Sequence, residues 1–218
     1  MSEMLFKKVD YTLGNLIAYV EQGDIGLPEL QRPFVWPDTK VRDLFDSLYR
    51  GYPVGYLLFW ENGLPDQGRS ISIVTGQEIP RLLVVDGQQR ITSLYAVIKG
   101  HPVLDKNGER RRMRIAFRPK DGKFEVTNAA IERDPEWIAD ISLLWSPESK
   151  RVVREFFERL RREKGLTEEE EDHLDAAIDR LKNLLHFPLV ALELSSNLDE
   201  FLCVSAAKAH LSTKRTSF

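Results

Sequence analysis

The stretch LLVVDGQQRITSLYAVIKG, residues 82–100, decides the fold class. Leu82 to Val85 is a short apolar, partly β-branched run, the pattern of a buried strand. From Gln88 onward Ile91, Leu94, Tyr95 and Ile98 recur at helical spacing, and Gly100 with Pro102 marks the stop. Between them stands a turn of Asp86, Gly87, Gln88, Gln89 and Arg90, residues with little to offer a core. A strand running through Asp-Gly into a helix gathers backbone N–H groups at one point. The helix start also carries roughly half a positive charge, which suits an anion. Arg90 adds a planar cationic fork, and Thr92 and Ser93 add hydroxyl donors. Asp86 is chemically suited to three jobs: holding a metal ion, orienting a water, or capping the helix. Taken alone, the turn reads equally well as a capped helix with a polar surface.

A second polar cluster lies upstream. LPELQRPFVW, residues 27–36, sets Gln31 and Arg32 between prolines and beside Leu30, Phe34, Val35 and Trp36. The segment is apolar enough to be packed down, and proline on both sides limits its backbone, so the pair is expected to be preorganised. Two Gln-Arg pairs, each beside a helix start, are thus placed to converge on one polyanionic ligand. Trp36, Tyr52 and Trp60 read as scaffold rather than as base-stacking platforms.

Outward from these motifs, residues 10–22 and 38–50 read as amphipathic helices, the second with Asp38 as N-cap and Gly51 as stop. YPVGYLLFWE is a turn into a buried strand, and ISIV, residues 71–74, a short strand. RRRMRIAFRP and GKFEVT form two strands about a KDG turn. Residues 147–186 give two charged helices broken at Gly165, Thr167 capping the second, and FPLVALEL is a last strand. Strands and helices intersperse without a repeat, so the expected class is α+β with a helical second half.

The 218 residues carry 42% hydrophobic and 30% charged side chains, the balance of a globular protein, and a net charge of −3 that signals neither nucleic acid nor membrane globally. No apolar run approaches the roughly 20 residues that span a bilayer, and MSEMLFKKVD lacks the marks of a secretory signal. A cytoplasmic setting is expected, without membrane contact. One cysteine rules out an internal disulfide framework, and the four histidines stand too far apart for a zinc site.

LPELQRPFVWPDTKVRDLFDSLYRGYPVGYLLFWE followed by LLVVDGQQRITSLYAV resembles the N-terminal domain of GmrSD-type restriction systems, over roughly residues 10–195. The resemblance implies a ParB-like and sulfiredoxin-like fold, a small mixed-sheet core with added helices. It also implies a nucleotide-hydrolysing module of bacterial anti-phage defence, coupled to a DNA-cleaving domain. Carried over by residue, the site is Gln31 and Arg32 with Asp86, Gly87, Gln88, Gln89 and Arg90. Arg32 and Arg90 would hold phosphate, Asp86 a magnesium ion or a water, and Gln89 the attacking water, with a nucleoside triphosphate as substrate. Such phosphoryl transfer rests mostly on positioning and charge. A Walker lysine is absent from the sequence. So is the histidine-centred metal site of the family's nucleases, so DNA contact is expected through a nuclease domain or partner chain.

After FPLVALELSSNLDE the family pattern calls for something like IFxRINSxGTxLSxxDF, whereas this chain reads FLCVSAAKAHLSTKRTSF. Permitted codons for Ala207 to Phe218, read one nucleotide earlier, return SKGTSLNEADFI. The frame is therefore expected to shift between about Ser195 and Glu200, leaving a domain of residues 1–195 and an aberrant tail, 196–218. Coding DNA beyond Phe218 that lacks the family's second half in another frame would sink that idea. Two other readings stay open: a ParB-like DNA-binding module, to which RRRMRIAFRPK lends its charge, and an inactive remnant.

Overall fold

The computed structural model describes residues 5–27, 34–62 and 80–195. Gln31, Arg32, the ISIV segment and the tail from 196 lie outside the described residues.

A five-stranded mixed sheet organises the molecule. Its strands are β1 (Phe6–Thr12), β2 (Ile25–Gly26), β3 (Leu57–Glu61), β4 (Leu82–Asp86) and the last in the chain, Pro188–Leu194. That last strand sits between β1 and β3, antiparallel to the first and parallel to the second, while β3 and β4 are antiparallel and β2 joins β4 in parallel. Helices α1 (Leu13–Glu21), α2 (Asp38–Tyr49) and α3 (Gln88–Lys99) alternate with these strands. Two ribbons follow, β5 (Val103–Leu104) with β6 (Arg110–Arg111) and β7 (Ile115–Arg118) with β8 (Lys123–Val126). The second half is helical, with α4 (Ala129–Arg133), α5 (Ser149–Lys164) and α6 (Glu168–Lys182) leading into the closing strand, β9. The observed class is α+β.

The core follows from alternation. Leu57 and Phe59 of β3, Leu82 and Val84 of β4, Leu189 and Ala191 of β9 and Tyr11 of β1 all bury on one face of the sheet. The stripes Leu13, Leu16 and Ile17 of α1, Val41, Phe45 and Leu48 of α2, and Ile91, Leu94 and Ile98 of α3 belong to the same cluster, together with Phe156 of α5 and Ile178 of α6. Helix α2 begins one residue earlier than a capping Asp38 would place it: Pro37 is the N-cap, and Asp38, inside the first turn, instead takes the guanidinium of Arg111. Thr167 caps α6 in a capping box with Glu170, as the sequence indicates.

Candidate functional site

The end of β4 and the start of α3 are welded by one glycine. Gly87 is the N-cap at φ +94°, a backbone conformation that other residues rarely adopt, and a Cβ there would stand 2.5 Å from Leu57 Cδ2. The ladder passes from Leu58↔Asp86 to Phe59↔Val84, so β4 carries an extra residue, Val85, just before the turn. Such a bulge turns the strand end and re-aims the side chain beyond it. Asp86 emerges there with its carboxylate 61% exposed, and Gly87 as N-cap has no side chain to give the helix.

Arg90 does something the sequence does not announce. Its guanidinium is only 17% exposed and reaches across to the α2–β3 connection, where Nη1 donates to Val54 O at 2.5 Å and Nη2 to Tyr56 O at 2.7 Å. Nη2 also lies 3.3 Å from Asp86 Oδ2. Gly55 lets the chain wrap this closely: at φ +86°, a Cβ on it would lie 2.9 Å from Nη1. The fork thus binds the turn to the YPVGY loop, and a phosphate would have to share it with two carbonyls. Gln89 ties down the other motif, its Oε1 accepting the Val35 N–H at 3.0 Å. The neighbouring Phe34, 5% exposed, donates its N–H to Leu104 O at 3.0 Å. The two motifs therefore meet at their bases through Val35 and Gln89.

The hydroxyls divide. Ser93 is fully buried and donates to Gln89 O at 2.7 Å, so its group is engaged in the helix. Thr92 lines an open cleft of about 310 Å³ along α3, with Leu27, Tyr95, His101, Leu104 and Arg110 among its walls. Tyr95 and His101 stack there at 5.5 Å and 8°. Among the described residues no group of three His, Cys, Asp or Glu side chains gathers to hold a metal. One exposed carboxylate, Asp86, fits magnesium only where phosphate oxygens and waters complete the octahedron.

Sequence reasoning missed the carbonyls of Val54 and Tyr56 as partners of the turn. The glycine of GYPVGY is the signal that points to them. Tyr52 is 59% exposed and is not buried scaffold. The basic stretch is also more tied down than its composition suggests. Arg111 pairs with Asp38 and donates to Trp36 O, Arg112 lies 2.9 Å from Asp140, and Arg114 2.5 Å from Glu132.

Among the described residues, no helix is long and apolar enough to cross a membrane. A 93-residue stretch is 32% identical to an uncharacterised protein of Methanocaldococcus jannaschii, covering 38% of this chain and 16% of that relative, so the match spans a small part of the relative's length. Residues 13–206 match the model of the GmrSD restriction endonuclease N-terminal domain. By that match, which spans most of its length, the chain belongs to the family of GmrSD restriction endonuclease N-terminal domains.

Proposed function

We propose that this domain binds a nucleoside triphosphate at the DGQQR turn, hydrolyses its terminal phosphoanhydride, and in doing so governs a DNA-cleaving domain or partner of a restriction system. The observation that carries the reading is the joint between the motifs: Gln89 holds Val35, Arg90 holds Val54 and Tyr56, and the helix start between them has a glycine, Gly87, as its N-cap. A helix start on anchored backbone suits an anion, and phosphoryl transfer asks for little more than such positioning and charge. Arg32 is assigned as the phosphate ligand, with Gln31 beside it and Gly87 and Gln88 offering backbone N–H groups. Thr92, on the cleft side, is assigned a hydroxyl contact. Gln89 orients the attacking water from a side chain whose direction Val35 fixes. Asp86 holds a magnesium ion that arrives with the phosphates; the ion would supply charge neutralisation. Arg90 and the buried Ser93 position the turn rather than meet the ligand head-on.

A DNA-binding module is the second reading. The ion pairs of Arg111, Arg112 and Arg114 weaken it, because those side chains are already engaged by carboxylates. Release of phosphate from ATP and GTP with magnesium, by wild type and by Gly87→Ala, separates the readings. Hydrolysis that Gly87→Ala removes supports the nucleotide site. A folded wild-type chain that releases none, yet binds duplex DNA with a steep salt dependence, supports the second reading.

A further inference from the structure

Three side chains stand out beside the turn. Tyr56 at 65%, Val35 at 61% and Tyr52 at 59% are the most exposed large apolar groups among the described residues. None of them sits on a loose segment. The Tyr56 carbonyl is held by Arg90 at 2.7 Å and the Val35 N–H by Gln89 at 3.0 Å, while the Tyr52 N–H donates to Ser47 O at 2.8 Å. Tyr56 directly precedes Leu57, the residue whose Cδ2 fills the space beside Gly87. The molecule therefore spends an arginine fork and a glutamine on fixing backbone whose side chains project into solvent. An exposed aromatic ring on anchored backbone beside a helix start suits a flat, ring-bearing anion: phosphate at the N–H groups and ring against ring.

We infer that the exposed ring of Tyr56 is the nucleobase-stacking surface of the ligand whose phosphates sit at the DGQQR turn. The inference rests on the nucleotide reading above and adds to it the half of the ligand that the two sequence motifs leave unrecognised. A base stacks through its π-face, so this surface accepts either purine, and the same chemistry is presented by a free nucleotide and by a base of a single strand.

Calorimetric titration distinguishes these sources. ATP with magnesium, tripolyphosphate with magnesium, and a single-stranded DNA decamer are each titrated into wild type, Tyr56→Ala and Tyr56→Phe. The side chain is exposed, so both variants keep the fold, which far-UV circular dichroism checks. Loss of one stacked base weakens binding roughly 5- to 150-fold. Tyr56→Ala is expected to lose ATP affinity in that range, Tyr56→Phe to retain it, and tripolyphosphate to bind all three alike. Equal ATP and decamer affinity in wild type and Tyr56→Ala would overturn the stacking surface while leaving the phosphate site standing. Binding of the decamer alone, lost in Tyr56→Ala, would keep the stacking surface, assign it to a strand and overturn the nucleotide reading. No binding of any of the three by the folded chain would overturn both.

Discussion

Arg90 shows how a motif residue can be committed to backbone: its fork is held by two carbonyls and faces the Asp86 carboxylate. Its two carbonyl bonds, to Val54 and Tyr56, close a loop that begins at the end of α2 and ends at β3. Truncation leaves those acceptors without their donor in a part-buried place, a loss of about 1–3 kcal/mol. Arg90→Ala is therefore expected to lower the unfolding free energy from urea titration by that amount, and Arg90→Lys to recover little, since a single ammonium cannot fork to two carbonyls. An unchanged value in Arg90→Ala would mean the fork is free for a ligand after all. Gly87→Ala pays a different penalty, a strained positive φ together with a contact 2.5 Å from Leu57; about 1–3 kcal/mol is expected from the backbone alone. The Asp-Gly pair and the cationic fork were legible in the sequence. Which atoms the fork would reach was not, because backbone carbonyls have no letter of their own.

At the level of elements, α6 depends on its first turn. Thr167 Oγ1 accepts from Glu170 N while the Glu170 carboxylate accepts from Thr167 N. That backbone N–H, with the Thr167 hydroxyl second, lowers the Glu170 pKa from its ordinary value. A lowered folded pKa means a contribution present above the unfolded value and lost as pH falls through the folded one. Thr167→Ala is expected to cost about 1 kcal/mol, read by thermal denaturation, with the gap between variant and wild type shrinking in acid. A gap independent of pH would contradict the part of the Thr167 hydroxyl in holding that carboxylate. Helices α1, α2, α3, α5 and α6 could be located from sequence because each has a single apolar stripe. Strand β1 could not: of FKKVDYT only Tyr11 is buried, and Phe6 is 50% exposed, so no alternation shows. The two-residue strands β2, β5 and β6 are too short to leave any period.

Across the whole molecule, the sheet is closed by partners almost the full chain apart. β9 lies between β1 and β3, and a buried carboxylate, Glu193 at 3% exposure, is satisfied there by the Tyr11 hydroxyl and by Lys7 at 3.0 Å. No local pattern foretells that pairing, since a lone glutamate in FPLVALEL reads as a solvent-facing residue. Burial first, and the bond to Glu193 second, push the Tyr11 phenol well above its ordinary 10.0. The folded state holds that proton more tightly than the unfolded chain. Its stabilisation is thus full below about pH 10 and declines as pH rises from there toward the folded value. Tyr11→Phe is expected to lose about 1–3 kcal/mol at neutral pH by removing a donor from a buried carboxylate. It should also flatten the alkaline decline in a urea series; an identical decline would contradict the assignment. Fold class and the position of the turn were readable because they rest on local periodicity, whereas the closure of the sheet and the exposed tyrosines depend on contacts made at a distance. The most direct test of the nucleotide site is calorimetric titration of ATP and GTP, each with magnesium, into the wild-type chain and Arg32→Ala. Binding by wild type that weakens at least about tenfold in the variant, the effect of a lost charge-assisted bond of roughly 1.4 kcal/mol or more, is the expected result. A folded wild-type chain that binds neither nucleotide, or an Arg32→Ala chain that binds as wild type does, would contradict it.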